Sequence, residues 1–304
     1  MTPFQVTILG CGSAMPTTYR NPTSQLIEVN NKLFMIDCGE GTQLQMRKYK
    51  ARMSKLHSIF ISHLHGDHVF GLPGLLSTLS LMGHTGEINI YAHKELEYFL
   101  TSFMKYYGTQ LNYKINHFHL DSKNNSVIYE NKSIEISSFP LKHRVDTNGF
   151  VIAEKDAPLH MKGDMIDFYR IPFSKIKEIK DGADFITEDG RVIDNKLLTT
   201  LPNPPRKYAY CSDTAYSTKI IPYIKGADVL YHEATFEEAD KARAKKTYHS
   251  TAKQAAEIAK QSEVKKLIVG HYSSRYRELN QLHSEAKSIF ENTVLAFEGM
   301  KIDI

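Results

Sequence analysis

Six residues constrain this chain more than any other feature. His63-Leu64-His65-Gly66-Asp67-His68 follows a β-branched apolar run at 58–61 and opens an uncharged, helix-like stretch at 69–86. Four side chains able to ligate a metal thus fall within six positions at the end of one strand. Three neutral imidazoles and a carboxylate packed there would leave polar groups desolvated and unpaired. A divalent cation removes that cost. Mixed imidazole and carboxylate ligands suit zinc, with manganese or iron as further options.

Three more candidate ligands stand at the ends of apolar runs. His143 comes just after the run at 127–139, Asp213 after 208–211 and His271 after 266–269. Open α/β sheets place their sites at such strand ends. The seven residues together are enough for two metals sharing one carboxylate.

Strands are expected at 4–9, 25–29, 32–36, 58–61, 88–91, 127–139 (with a turn at Glu130-Asn131), 208–211, 229–231, 266–269 and 294–297. Helical periodicity is clearest at 94–107, 251–261 and 280–292, with Ser250 the expected N-cap of the second. Strands interleaved with helices imply a layered α/β fold. The segment 154–205 differs. It is irregular, rich in Asp, Lys, Gly and Pro, and ends in Pro202-Asn203-Pro204-Pro205. We expect it to be an appendage inserted into a domain made of 1–153 and 206–304.

Composition narrows the function classes. With 304 residues, 41% hydrophobic and 24% charged, the chain can bury a core and is not disordered. The uncharged stretch at 69–86 is broken by Pro73 and four glycines, so no membrane span is expected. The first residues lack a basic stretch followed by an apolar one, so no secretory signal is expected. Cys11, Cys38 and Cys211 are too scattered for a disulfide framework or a cysteine zinc site, which fits a reducing cytoplasm. The net charge is +4, and its distribution is uneven. Residues 46–57 hold five Lys/Arg and no acid, and residues 241–287 hold eleven against four acids. Such segments can follow a phosphate backbone, or serve only as solvated faces.

The motifs add up to a resemblance. The 63–68 segment resembles the His-x-His-x-Asp-His signature of the metallo-β-lactamase superfamily, and Asp37 in Ile36-Asp37-Cys38-Gly39 looks like its upstream structural Asp. The match narrows further. Gly10-Cys11-Gly12-Ser13-Ala14-Met15-Pro16, Arg20-Asn21, Gly39-Glu40-Gly41-Thr42-Gln43, Cys211-Ser212-Asp213-Thr214, His232-Glu233-Ala234-Thr235, His249-Ser250-Thr251-Ala252 and Gly270-His271-Tyr272-Ser273-Ser274-Arg275-Tyr276 resemble the short-form ribonuclease Z family of tRNA 3′-processing endonucleases. The resemblance spans about Gly10 to Tyr276. Two positions depart from it. Thr18 stands where the family's Pro-x-Lys-x-Arg-Asn loop has Lys, and Ile171-Pro172-Phe173-Ser174 lacks the Gly-Pro pair usual in the family's arm.

The resemblance implies an αβ/βα four-layer sandwich with an inserted flexible arm, the exosite that grips tRNA, and a homodimer with no membrane attachment. It implies two zinc ions per subunit, one on His63, His65 and His143, the other on Asp67, His68 and His271, with Asp213 bridging. Two metals about 3.5–4 Å apart can clamp the attacking and leaving oxygens of a phosphoryl transfer. Asp67 would also orient or deprotonate the attacking water. Glu233 and His249 would supply a proton to the leaving oxygen, and Arg20, Asn21 and Arg275 would contact substrate. His232 and Asp37 are expected to be structural. The expected activity is removal of the 3′ trailer from precursor tRNA, leaving a 3′-hydroxyl on the tRNA and a 5′-phosphate on the trailer. A small-molecule phosphodiesterase or other metallo-hydrolase would use the same fold and metals. A non-catalytic RNA-binding protein would more plausibly have lost a ligand, and all seven are present.

Overall fold

The computed structural model of the chain describes residues 3–107 and 111–304. Fourteen strands build two seven-stranded sheets. The first sheet takes β1 (Phe4–Gly10), β2 (Ser24–Val29), β3 (Lys32–Cys38), β4 (Leu56–Phe60), β5 (Ile88–Ala92) and β6 (Ile115–His119). The second takes β7 (Ser126–Glu130), β8 (Ile134–Pro140), β9 (Asn148–Glu154), β10 (Lys207–Cys211), β11 (Val229–Glu233), β12 (Lys266–Gly270) and β13 (Thr293–Leu295). The last strand, β14 (Lys301–Asp303), returns to the first sheet beside β1. The spatial orders are β14-β1-β2-β3-β4-β5-β6 and β13-β12-β11-β10-β9-β8-β7.

Both sheets are mixed. β3 to β6 run parallel, as do β10 to β13. Parallel strands covered on both faces should read as unbroken apolar runs. Val229–Tyr231 and Leu267–Val269, the centres of β11 and β12, do, and nearly every residue of both strands is buried. The inner faces meet through Phe60 and Phe150, whose ring centroids are 5.6 Å apart, and through hydrogen bonds from Tyr208 to Gln25 and from Tyr210 to Asp37. Outside the first sheet, Leu72, Leu75, Leu76 and Leu79 of the helix Leu72–Leu81 join Leu96 and Leu100 of the helix Glu95–Tyr107 in a buried cluster. Outside the second sheet lie the helices Ala252–Gln261 and Asn280–Lys287. Among the described residues no helix is long and apolar enough to cross a membrane.

Several local expectations need correction. The helix Ala252–Gln261 is capped by Thr251, not Ser250. Thr251 accepts from the Gln254 amide while Gln254 reaches back to the Thr251 amide, a complete capping box. Ser250 is buried and donates to the Thr214 carbonyl instead. The last helix stops at Lys287 rather than 292. β6 and β14 carried no sequence signal, since one is His- and Asn-rich and the other is three residues long.

A bulge prepares the site. Ser24 pairs with Cys38 and Gln25 with Ile36, so Asp37 is the extra residue, and it takes a left-handed φ of 56°. Gly10 shows how tightly the neighbouring strand end is packed. A Cβ there would lie 1.8 Å from the Pro22 carbonyl oxygen. Gly10→Ala should therefore lower stability by at least about 1–3 kcal/mol, the usual cost of overpacking. A thermal melt followed by circular dichroism checks this, and an unchanged midpoint would contradict it.

The chain divides into two compact units: 1–130, 135–153 and 207–304 in the first, and 131–134 with 154–206 in the second. The second is not irregular, as the sequence pattern suggested. It contains the helices Gly163–Phe168, Phe173–Lys180 and Asn195–Leu198 and two short two-stranded ladders. Ile171, Ile179, Phe185 and Leu198 form its own buried core. Asn195 ties it internally, donating to the Ile179 and Ala183 carbonyls at 2.6 and 2.7 Å.

Candidate metal centre and active site

The sandwich brings the seven candidate ligands to one edge. His63, His65, Asp67 and His68 follow β4, His143 follows β8, Asp213 follows β10 and His271 follows β12. His63, His65, His143 and Asp213 present ligand atoms within 4.8 Å of one another, as do Asp67, His68 and His271. Asp213 sits between the groups. Its Oδ2 lies 3.6 Å from His63 Nε2 and 3.8 Å from His143 Nε2. Its Oδ1 lies 3.0 Å from His271 Nε2 and 3.4 Å from His68 Nε2. Asp213, His249 and His271 make a third convergent group.

The far nitrogens of these rings are held by hydrogen bonds that fix their orientation. His68 Nδ1 donates to Asp37 Oδ2 at 2.8 Å. His143 Nδ1 donates to the Tyr248 carbonyl at 2.9 Å. His271 Nδ1 meets Thr235 Oγ1 at 2.9 Å. Asp37 also accepts from the Ser62 amide, the Ser62 hydroxyl and the Tyr210 hydroxyl at 2.7–2.9 Å. Asp37, Tyr248 and His271 all have positive φ, so three left-handed non-glycine residues serve this one edge. Backbone strain of that kind collects at functional sites.

These residues fit a metal. With His63 Nδ1 on Ser62 Oγ at 3.1 Å and His143 Nδ1 on the Tyr248 carbonyl, His63 Nε2 and His143 Nε2 turn lone pairs toward His65 Nδ1, at 2.9 and 3.4 Å. His68 Nε2 is buried without a hydrogen bond, although Asp67 and Asp213 oxygens each lie 3.4 Å away. Converging acceptors repel unless a cation lies between them. The charge states of five of the seven agree. Burial holds His63, His65 and His143 below the usual imidazole range, so they stay neutral. Burial would raise Asp67 and Asp213, yet the surrounding imidazoles pull both below the usual carboxylate range.

Glu233 and His249 form a pair beside this cluster. Glu233 is fully buried at the end of β11. Its Oε1 accepts from the Thr214 amide and from His249 Nδ1 at 2.9 and 2.8 Å. Its Oε2 accepts from the Thr235 amide and hydroxyl at 3.1 and 2.6 Å. Burial would raise its pKa, but the His249 ring keeps it below the usual range. For His249, burial works downward and the Glu233 carboxylate outweighs it, lifting the imidazole to about 9. The other ring nitrogen, Nε2, lies 3.9 Å from Asp213 Oδ2. A cavity of about 620 Å³ opens here, lined by His65, Asp67, Asp213, His249 and His271 together with Phe70, Phe236 and Arg144.

The expected substrate contacts are placed differently. Arg20 donates to the Tyr276 and Arg277 carbonyls at 2.6 and 2.8 Å and lies over the Tyr272 ring. Asn21 is bound to Glu298 through both its amide and its side chain. Arg275 lies over Phe236, a wall of the cavity, with Nη1 3.7 Å from Asp240. None of the three belongs to the ligand groups. His232 is buried, with Nδ1 on the Glu233 carbonyl. Sequence reasoning passed over Thr235, Ser62 and Tyr210 as partners of the site. Thr235 could have been found, because it lies two residues beyond Glu233 and so on the same side of an extended chain.

Comparison with known proteins places the chain. A family model described as Anti-Pycsar protein Apyc1 matches residues 4–202. Ribonuclease Z of Parabacteroides distasonis is 50% identical over all 304 residues, covering 100% of both chains. Ribonuclease Z of Porphyromonas gingivalis is 48% identical over the same length, again 100% of each. Among solved structures, human tRNase Z, short form, is 27% identical with a TM-score of 0.72, covering 98% of each chain. A metallo-β-lactamase fold protein of Bacillus subtilis is 18% identical with a TM-score of 0.70, covering 99% of this chain and 100% of its own, a likeness of fold. The two-sheet sandwich is thus the metallo-β-lactamase fold, residues 4–202 belong to the family that the Apyc1 model describes, and the chain as a whole belongs to the ribonuclease Z family.

Proposed function

We propose that the chain is a zinc-dependent endoribonuclease that removes the 3′ trailer from tRNA precursors, leaving a 3′-hydroxyl on the tRNA and a 5′-phosphate on the trailer. The observation that carries this reading is the His249–Glu233 pair aimed at Asp213, between two groups of metal ligands. One zinc would sit on His63, His65 and His143, the other on Asp67, His68 and His271, with Asp213 shared. Bound metal supplies positive charge for the phosphoryl oxygens and makes water more acidic. Asp67, held ionised, accepts a hydrogen bond from the attacking water, orients it and takes up its proton as it attacks. As the new P–O bond forms and the bond to the 3′-oxygen breaks, His249 Nε2 gives its proton to that oxygen. Glu233 positions His249 from the far side, and Thr235 fixes both Glu233 and His271. The test is to incubate the purified, zinc-loaded protein with an end-labelled precursor tRNA and map the product ends. Cleavage absent, or placed away from the 3′ side of the acceptor stem, rules the reading out.

A second reading, hydrolysis of a small phosphodiester, would use the same ligand set, and the Apyc1 family model matches part of the chain. That match ends at residue 202, before Asp213, Glu233, His249 and His271, whereas the ribonuclease Z relatives align across all of them. A cyclic phosphodiester assayed beside the precursor separates the two.

The unit 154–206 supports RNA binding in this reading. It exposes Phe168 and Phe173, at 74% and 89%, with Lys175, Lys177 and Lys180 nearby in sequence. Its segment 154–205 has eight Lys/Arg against ten Asp/Glu, so it grips by local spots and shape rather than net charge. Replacing about Asp156 to Leu198 with a Gly-Ser linker should preserve metal content and small-diester hydrolysis while raising KM for precursor tRNA, because remote binding energy is lost. Unchanged kcat/KM on the precursor would assign RNA binding to the sandwich. We also infer a cytoplasmic homodimer, in keeping with three buried free cysteines and the family. Light scattering of the purified protein tests the dimer.

A further inference from the structure

A second basic cavity, of about 530 Å³, lies behind His143. Lys123 reaches it from the loop before β7, Lys142 and His143 from the loop after β8, Lys219 from the segment after β10, and Tyr223 from the helix Ile221–Ile224. Among the described residues no carboxylate lines it. The closest acid in sequence, Asp121, spends its oxygens on the Lys123 amide and on Asn124. Among the described residues, the amines of Lys123, Lys142 and Lys219 have no hydrogen bond or ion pair of their own.

The cavity shares a wall with the metal centre. The Lys142 amide donates to Thr214 Oγ1 at 3.1 Å, and its carbonyl accepts from the Ala215 amide at 2.8 Å. Those two bonds lace the loop that carries His143 to the loop that carries Asp213. His143 lines this cavity while its Nε2 faces His65 and Asp213. Three exposed lysines from three loops, facing a cavity whose lining includes no carboxylate, give it a positive field that attracts anions. All three are lysines, which act as point charges rather than as the shaped forks that select one small planar anion. That chemistry suits a phosphate on a flexible chain.

We propose that this cavity is a subsite for a backbone phosphate of the RNA strand, next to the scissile one. The assignment rests on the ribonuclease reading and adds a named contact to it. It explains why this basic group sits beside His143, outside both basic segments visible in the sequence.

The test uses the full-length, zinc-loaded Lys123→Ala/Lys219→Ala protein. Lys142 is left in place because it adjoins His143. Precursor tRNA cleavage is measured across a salt series, and bis-p-nitrophenyl phosphate hydrolysis is measured on the same preparations. The ratio of RNA to diester kcat/KM should fall about tenfold, mainly through KM, and the salt slope should flatten by about one. Lys123→Arg/Lys219→Arg should restore most of both. An unchanged KM and slope would overturn the proposal. So would a parallel loss on the diester, which would make the cavity wall a support for the metal centre. If inorganic phosphate inhibits diester hydrolysis in the wild type much more than in the double variant, the site takes free phosphate and the RNA assignment fails. If the wild type cleaves no precursor, the ribonuclease reading fails separately, and filter binding of the same RNA to the two proteins still decides this one.

Discussion

Asp213→Ala is expected to strip the protein of properly held metal and to abolish most hydrolysis of every substrate, RNA and small diester alike. Its carboxylate lies within 4 Å of nitrogens from both ligand sets, with His63 and His143 on one oxygen and His68 and His271 on the other. Losing an outer partner of a metal ligand typically costs about 10–100-fold. Losing the carboxylate common to both ligand sets should exceed that range. Elemental analysis after dialysis is the direct readout. Two tightly held equivalents per subunit together with normal turnover would refute the bridging role. The surroundings also guard against a trivial explanation. Asp213 is fixed at the end of a buried strand pairing in register with β9 and β11, so the fold should survive and circular dichroism should match the wild type.

The sequence revealed the parts of this site that are compressed and concealed the parts that are assembled. Residues 63–68 were legible because four potential ligands within six residues have no inexpensive structural explanation. Asp213 and His271 were legible because each follows a short buried run that could only be an interior strand. Thr235, Ser62 and Tyr210 are ordinary residues whose importance comes from facing Glu233, His271 and Asp37, and no local pattern distinguishes them. The same logic explains the unit at 131–134 and 154–206. Its helices are at most eight residues long and its strands two, too short to show a period, while its core of Ile171, Ile179, Phe185 and Leu198 is drawn from four separate pieces. Ser250 was a sound capping residue in the wrong place. Thr251 won because Gln254 lies three positions beyond it and completes the box, leaving Ser250 to tie the strand-end loop at Thr214.

His249→Ala is expected to leave metal content intact and to slow RNA cleavage by about 10²–10⁴-fold, the usual contribution of a general acid or base. The geometry makes His249 the donor and Glu233 its support. Glu233 has both oxygens occupied, by Thr214 and His249 on one and by Thr235 on the other, so it has no free edge for substrate. His249 turns Nδ1 to Glu233 and leaves Nε2 on the cavity side, near Asp213. A ribose 3′-oxygen is a poor leaving group and needs the proton as the bond breaks. A nitrophenolate leaves without one. Bis-p-nitrophenyl phosphate should therefore lose far less rate than precursor tRNA in the same variant. Equal losses on both substrates would remove His249 from proton transfer. Because Asp213, His249 and His271 also converge closely enough to hold an ion, metal analysis carries equal weight. A variant that loses metal along with both activities would make His249 a ligand, whereas one that keeps its metal and fails only on the poor leaving group identifies the acid.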